Sequence, residues 1–252
     1  MAKRTYGWRR SKHDSRDHKF KLGASQTLPS RVDLRGWCPS VYDQGNLGSC
    51  TANALAALCQ YSELKEGHKI SESLAPSRLF IYWNERDLEG SVSEDAGAEL
   101  RDGIKSLATW GFAPEALWPY DPARFAEKPP AIIYTTASQK KITSYAAVGQ
   151  DLTAMKTCLY QGHPIAVGFS VYQSFESDRV ARTGLVPVPD VNNELLLGGH
   201  AVLVVGYDDS KGFICRNSWG PSWGINGYFV MPYAYLLDQN LASDFWTIRF
   251  AK

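Results

Sequence analysis

The chain has 252 residues, of which 44% are hydrophobic and 12% aromatic, with 27 basic and 26 acidic side chains. This is enough apolar material for a sizeable core, in one two-lobed domain or two small ones, and it excludes a disordered chain. No run approaches the roughly 18 consecutive apolar residues that a membrane-spanning helix needs, so no span is expected. No apolar stretch follows the first basic residues, so we expect a cytoplasmic protein or one exported without a visible signal peptide.

Residues 1–28 are interpreted as a basic N-terminal arm or short pro-segment ahead of a domain at 29–252. Residues 1–21 contain eight Lys or Arg and two Asp, a net charge of +6, which leaves −5 for the remainder. Such an arm could be a solvated tail, could dock on its own domain across a cleft, or could contact nucleic acid or an anionic membrane. Tyr6, Trp8 and Phe20 favour docking, because a solvated tail has little use for large aromatic side chains. A nucleic-acid partner is not expected.

The pattern of residues 44–66 predicts a buried helix with a nucleophilic cysteine in its first turn. Ser49 is a candidate N-cap, and residues 52–61 are almost entirely apolar, which is typical of a helix buried on all sides. Cys50 therefore lies in the first turn, where unpaired N–H groups and the helix dipole favour a thiolate over a thiol. We expect a nucleophile with a lowered pKa at this position.

The rest of the chain divides into helices followed by strands. Apolar residues at helical spacing predict helices at about 76–88 and 98–110, and Trp118-Pro119-Tyr120 marks the crossing to a different pattern. Short β-branched and aromatic runs then predict strands at 165–171, 201–207, 213–217, 228–231 and 245–250, with one helix at 152–160. Residues 173–199 are predicted to form a long loop beside the functional site. This order indicates an α+β fold, with a helical lobe at about 44–128 and an antiparallel β-barrel or sheet lobe at about 129–252.

A second pattern supplies the partners that a nucleophile needs. His200 opens an apolar strand, and Asn217 closes the next one. Nucleophile, base and orienting group thus follow one another along the chain in the order Cys50, His200, Asn217.

These residues resemble the motifs of the papain-like cysteine peptidases. Gln44 precedes Cys50 by six positions, as the family's oxyanion glutamine does. The other matching motifs are Gly48-Ser49-Cys50, His200-Ala201-Val202 and Asn217-Ser218-Trp219-Gly220, with residues 28–35 similar to the family's mature terminus. The resemblance runs from about residue 28 to the end of the chain.

The sequence departs from the family pattern at two positions. Thr51 stands where the family has an aromatic residue, and Leu47 stands where it has a cysteine that forms a disulfide. Neither change removes a catalytic group. Few cysteines and the missing bridge favour a reducing compartment.

The resemblance implies both a fold and a mechanism. A helical lobe and a β lobe would enclose a cleft, with Cys50 on the helical side and His200 and Asn217 on the strand side. The implied activity is that of a thiol-dependent peptidase, in which Cys50 forms a thioester and His200 acts as acid and base. Asn217 would orient the imidazole, and the Gln44 amide would donate to the oxyanion.

The resemblance also suggests residues that bind substrate. Gly97 is similar to the glycine strand that pairs with the substrate backbone, and Gly199 would open one wall of a pocket. Asp244 falls where the family sets the depth and charge of the second subsite, which would favour basic or polar side chains there. Trp219 would shield the catalytic histidine from water, and Trp223 would form the floor on the leaving-group side.

Two alternatives to hydrolysis use the same residues. The protein could be an acyl transferase or peptide ligase, or a peptide-binding module that no longer cleaves, although four intact site residues argue against the latter. No metal-ligand spacing and no phosphate-binding glycine loop is present, so no metal or cofactor is expected. The expected partners are a polypeptide substrate and, within the chain, the arm itself, and the protein is expected to be a monomer.

Overall fold

The first half of the chain is mainly helical, as the spacing of its apolar residues predicts. The computed structural model describes residues 4–23, 27–66 and 75–249. Within these ranges the helices of the first half are α1 (Cys50–Lys65), α2 (Arg78–Glu89), α3 (Leu100–Thr109) and α4 (Ala131–Ala137). Helix α1 is buried along most of its length, which agrees with its uniformly apolar sequence. Helix α4 was not predicted.

Local signals determine where α2 and α3 begin and end. The Ser77 side chain accepts a hydrogen bond from the N–H of Phe80 at 3.1 Å, and Gly90 ends α2 with a φ of 70°, as expected for a helix cap and a left-handed C-terminal residue. Helix α3 begins two residues later than predicted, because Ala98–Glu99 form strand β3 instead. This strand pairs in parallel with the arm's own strand β1 (Trp8–Arg9).

The second half of the chain forms a seven-stranded sheet in which all neighbouring strands are antiparallel. The order is β4, β9, β5, β6, β7, β8, and β2 also pairs with β6. The strands are β2 (Arg31–Asp33), β4 (Ser144–Ala147), β5 (Ile165–Tyr172), β6 (Leu196–Asp208), β7 (Gly212–Arg216), β8 (Tyr228–Met231) and β9 (Ala242–Arg249). Helices α5 (Leu152–Tyr160) and α7 (Tyr233–Leu237) accompany them. Across the described residues this sheet is open, so the α+β fold is confirmed and the barrel alternative is wrong.

The predicted loop at 173–199 is wrong in two places. It contains helix α6 (Asp178–Thr183), whose N-cap Ser177 accepts from the N–H of Val180 at 3.3 Å. Strand β6 begins at Leu196 instead of residue 201, because its first residues continue to pair with the end of β5. Those first side chains are exposed or half-buried, so no buried apolar alternation marks this part of the strand in the sequence.

Strand β6 runs through the middle of the core. Ala201, Leu203 and Val205 belong to the cluster that surrounds α1, whereas Val202 and Val204 belong to a second cluster that includes α5. Successive side chains of a strand point to opposite faces, so the sheet is covered by helices on both sides. The middle of β6 is therefore packed directly against α1.

The described part of the arm lies on both halves of the domain. Strand β1 pairs with β3, and farther along the arm the N–H of Phe20 donates to the carbonyl of Ala147 at 2.8 Å. Of the three arrangements considered for the arm, docking is the one that the structure contains. The boundary at residue 28 and the lobe limits at about 44–128 and 129–252 stay predictions. None of the helices in the described ranges has both the length and the apolar character needed to cross a bilayer.

Candidate active site

Cys50 and His200 both lie where α1 meets the sheet. Cys50 is the first residue of α1 and His200 lies in β6, and both are fully buried, with 0% of their surface exposed. The backbone N–H of Ala201, the residue after His200, hydrogen-bonds the Cys50 sulfur. The helix and the strand thus bring the predicted nucleophile and base together.

Asn217 fixes the orientation and tautomer of the His200 ring. Its Oδ1 lies 2.8 Å from His200 Nε2 and also accepts the N–H of Ser218 at 2.8 Å. An oxygen that accepts from Ser218 cannot donate, so Nε2 of His200 must carry the hydrogen of this contact. His200 Nδ1 is then the ring's lone-pair nitrogen, and it is buried without a hydrogen-bond partner in the part of the chain that the structure describes.

Gln44 is held in a fixed orientation beside the nucleophile. Its side-chain oxygen accepts from the Ser218 hydroxyl at 2.6 Å, and its Nε2 donates to the Leu47 carbonyl at 2.9 Å. Only 1% of Gln44 is exposed. The amide nitrogen consequently faces the turn that leads into Cys50, and one of its two hydrogens is left for another acceptor.

The two tryptophans of the predicted site have different surroundings. The Trp219 ring lies 4.9 Å from the His200 ring at an angle of 31°, so it covers the imidazole. Trp223 lies 5.0 Å from Trp219 and packs on Phe175 and Phe229. Its contacts are those of a core residue that supports Trp219.

The arm passes directly over the nucleophile. The N–H of Gly7 hydrogen-bonds the Cys50 sulfur, and the Gly7 carbonyl accepts from the N–H of Ala98 at 2.7 Å. A Cβ atom on Gly7 would lie 1.6 Å from the Gly48 carbonyl oxygen, and one on Gly97 would lie 2.1 Å from the Gly7 oxygen. Only glycine fits at the crossing point, because any side chain there would overlap backbone atoms.

Trp8 fills the pocket that the sequence analysis assigned to substrate. Its indole N–H donates to Asp244 at 3.1 Å, and 7% of the residue is exposed. Cβ atoms on Gly168 and Gly199 would lie 1.9 and 2.3 Å from Trp8 atoms, so both glycines make room for it. The structure thus gathers Gly97, Gly199 and Asp244 in one groove, which the arm occupies.

Other arm residues extend these contacts on either side of the dyad. Tyr6 lies edge-on to His200 with the ring centroids 6.2 Å apart, and its hydroxyl donates to Glu176. The Arg4 guanidinium lies 4.8 Å from the Trp219 ring centroid, and Arg9 forms an ion pair with a carboxylate of α2. The sequence analysis missed Glu176, because nothing in the sequence connects a carboxylate in the 173–199 segment with Tyr6.

The covered site has a neutral dyad, which overturns the prediction of a lowered Cys50 pKa. Burial raises the pKa of the Cys50 thiol to about 12, even though the N–H groups of Ala201 and Gly7 act in the opposite direction. Burial also lowers the pKa of His200 to about 4, and Arg4 adds to this effect while the Asn217 contact opposes it. The helix end favours a thiolate only while water reaches it, and the arm excludes that water.

No metal centre is formed by the residues that the structure describes. Within those ranges no group of three or more His, Cys, Asp or Glu residues is arranged to hold a metal ion. All five cysteines are free thiols.

Comparison with known proteins gives a consistent result. The family model described as papain family cysteine protease matches residues 28–238. An uncharacterized peptidase C1-like protein of Acanthamoeba polyphaga mimivirus is 43% identical, over 98% of this chain and 87% of its own length. The crystal structure of xylellain, a cysteine protease from Xylella fastidiosa, is 43% identical with a TM-score of 0.91, covering 99% of this chain and 97% of that one. Digestive procathepsin L 3 from Tenebrio molitor larval midgut shares the fold at 20% identity with a TM-score of 0.75, covering 98% and 76%.

Proposed function

The chain belongs to the papain family of cysteine proteases, and we propose from this premise that it cleaves peptide bonds through a thioester on Cys50. The thiol gives its proton to His200 Nδ1 as the sulfur attacks the peptide carbonyl. The tetrahedral intermediate breaks its C–N bond as His200 returns that proton to the leaving amine. Water then attacks the thioester with His200 as base, which releases the acid and restores the thiol.

The orientation of His200 carries this proposal. Asn217 Oδ1 is already an acceptor for Ser218, so the imidazole presents its lone pair at Nδ1 and its hydrogen at Nε2. A general base must offer a lone pair on the side that faces the nucleophile. Nothing in the described residues favours the acyl-transferase or binding-module alternatives.

Two N–H donors are proposed to stabilise the oxyanion. The Cys50 N–H belongs to the first turn of α1, where helix amides have no intrahelical acceptor. Gln44 Nε2 has its second hydrogen available beyond the bond to Leu47. Loss of one such donor typically lowers turnover by about 10² to 10³-fold.

The arm is proposed to inhibit the enzyme that carries it. It excludes water and substrate from Cys50, and it presents an N–H to the sulfur where a substrate must present a carbonyl carbon. Because Trp8 occupies the pocket beside Asp244, we propose that the pocket selects substrate side chains that carry a hydrogen-bond donor, basic ones included.

A fluorogenic peptide amide tests the proposed hydrolysis. In the full-length chain that carries Gly7→Ala to release the arm, Cys50→Ala and His200→Ala should lose nearly all turnover, while Cys38→Ala, which removes a thiol away from the dyad, should keep it. Reaction with an epoxysuccinyl reagent should label the Gly7→Ala parent and its Cys38 variant, and not its Cys50 variant. Turnover that persists in Cys50→Ala would refute the proposed function.

A further inference from the structure

The Tyr120 hydroxyl joins the two ends of the turn that carries both oxyanion donors. It donates to the Gln44 carbonyl at 2.9 Å, and it lies 2.6 Å from the Ser49 hydroxyl. Gln44 supplies one proposed donor from its side chain, and Ser49 directly precedes Cys50, which supplies the other from its backbone. Tyr120 does not belong to the motifs that the sequence analysis assigned to the site.

The direction of each hydrogen bond in this cluster is determined by its neighbours. A carbonyl can only accept, so the single hydroxyl hydrogen of Tyr120 goes to Gln44. Ser49 must then donate to Tyr120, and it accepts in turn from Asn53 Nδ2 at 3.1 Å. Burial raises the pKa of Tyr120, so its hydroxyl keeps the hydrogen that this arrangement requires. Hydrogen bonds that run in one direction through a buried site strengthen one another.

Arg78 anchors the far end of the cluster. Its Nη1 donates to Asn53 Oδ1 at 3.3 Å, which fixes the orientation of that amide, and to the Asp43 carbonyl at 3.1 Å. The guanidinium lies 4.0 Å from the centroid of the Tyr120 ring and pairs with Glu115 at 2.5 Å. The turn is therefore held at residue 43, at Gln44 and at Ser49 by side chains from outside it.

The Ser49 hydroxyl is used in this cluster and not as a helix cap. Ser49 is the N-cap residue of α1, but its side chain makes no capping hydrogen bond. A Ser at the N-cap normally stabilises its helix by accepting a backbone N–H, so a cap hydroxyl turned elsewhere gives up that stabilisation. Here the hydroxyl points to Tyr120, which connects the start of the helix to Gln44.

We propose that Tyr120 is a positioning residue that sets the distance between the Gln44 amide and the Cys50 N–H, and thereby shapes the oxyanion hole. The inference rests on the proposed function, because it gives Tyr120 a role only in stabilising the tetrahedral intermediate. Tyr120 touches neither the sulfur nor the imidazole in any contact described above. Its loss should therefore leave the nucleophile intact and weaken only the binding of the oxyanion.

The Tyr120→Phe variant tests this, since it removes one oxygen atom and keeps the ring that packs beside Arg78. We would measure it in the full-length chain that also carries Gly7→Ala, so that the arm does not cover the site. The expected result is a kcat lower by roughly ten- to a hundredfold with KM changed less than about twofold. The loss is smaller than for removal of an oxyanion donor, because the donors are displaced but still present. Tyr134→Phe is the matched control, because it removes a half-buried hydroxyl that donates to Asn84 Oδ1 at 2.9 Å, outside the turn that carries the oxyanion donors.

Two inhibitors separate positioning from a general structural effect. A peptide aldehyde forms a tetrahedral adduct that needs the oxyanion donors, whereas alkylation by iodoacetamide needs the sulfur alone. Tyr120→Phe should weaken aldehyde binding in proportion to kcat and leave the alkylation rate of Cys50 unchanged.

Three results would overturn the inference. The first is an unchanged kcat, and the second is a loss of kcat without a loss of aldehyde affinity. The third is an equal loss of alkylation and turnover together with a lower Tm, which would mean general loosening of the fold. Failure of the proposed function itself is distinguishable, because the parent Gly7→Ala chain would then show no turnover, whatever the alkylation rate of Cys50.

Discussion

The backbone N–H of Gly7 is hydrogen-bonded to the sulfur of Cys50. The arm therefore covers the sulfur with its own backbone. The contact also depends on a glycine, because a Cβ at this position would lie 1.6 Å from the Gly48 carbonyl oxygen. A single atom added to the arm should be enough to separate it from the site.

We predict that Gly7→Ala raises the peptidase activity of the full-length chain. The added methyl group overlaps the Gly48 backbone, so the arm must leave the groove or dock more weakly. Initial rates on a fluorogenic peptide measure the effect. Gly23→Ala is the control, since a Cβ there meets only the end of the Gln161 side chain at 3.7 Å. Equal rates for both variants would show that the arm does not limit access.

Acidification is predicted to weaken the docking of the arm. In the docked state the pKa of His200 is about 4, compared with an ordinary value of 6.5. An arm-free site is hydrated, so its imidazole takes up a proton at a higher pH than the covered one. As pH falls from about 6.5 towards 4, the released state therefore gains protons that the docked state does not, and release is favoured.

The activity of the intact chain divided by that of Gly7→Ala measures this effect, because the intrinsic pH profile of the dyad cancels in the ratio. The ratio should rise as the pH falls below about 6.5. Alkaline pH should raise it as well, since burial raises the pKa of Cys50 to about 12 in the docked state and release of the arm is expected to let water reach the thiol and lower that pKa. A ratio that stays flat from pH 4 to pH 9 would contradict the prediction.

The sequence predicts the order Cys50, His200, Asn217, but not the protonation state of the covered dyad. The neighbours of Cys50 predict its place in the first turn of α1, and Asn217 directly follows β7, whereas His200 lies inside β6 and not at its start as predicted. The direction of the Cys50 pKa shift could not be obtained in this way, because it depends on the covering of the site by residues more than 40 positions away. Aromatic residues in a basic arm indicated docking, but not its register on β3.

The cluster around Tyr120 shows a different limit. Trp118-Pro119-Tyr120 marked a change of pattern in the sequence, and no local rule connects it with Gln44 or Ser49. The connection arises because α2 and the segment after α3 both pack against the turn before α1. This packing brings Arg78 and Tyr120 together. Tertiary contacts of this kind leave no periodicity or spacing for a single sequence to show.

Asp244 is predicted to select the substrate side chain that enters the Trp8 pocket. Its carboxylate accepts from the Trp8 indole N–H at 3.1 Å and from the Ser11 N–H at 2.9 Å. When a substrate replaces the arm, the carboxylate loses both donors and can accept hydrogen bonds from the substrate side chain instead. In the Gly7→Ala background, Asp244→Ala should reduce kcat/KM for peptides with Arg or Lys at the second subsite more than for peptides with Leu. An equal change for both peptide classes would mean that Asp244 binds the arm and does not select the substrate side chain.

Asn217→Ala should lower kcat by less than His200→Ala does. Without Asn217 Oδ1 the ring of His200 is free to turn and to exchange tautomers, so a smaller fraction of molecules presents the Nδ1 lone pair to Cys50. The general base itself remains, and the Trp219 ring still covers it. Single-turnover rates with an activated peptide ester compare the two variants. A loss as large as that of His200→Ala would mean that Asn217 does more than orient the ring.

The most direct test of the central claim is the mass of the enzyme during turnover. The Gly7→Ala chain, quenched in acid while it hydrolyses an activated peptide ester, should carry one acyl group, and peptide mapping should place that group on Cys50. The account predicts that the adduct disappears in Cys50→Ala and accumulates when deacylation is slowed. An acyl group on another residue, or turnover with no adduct on Cys50, would contradict it.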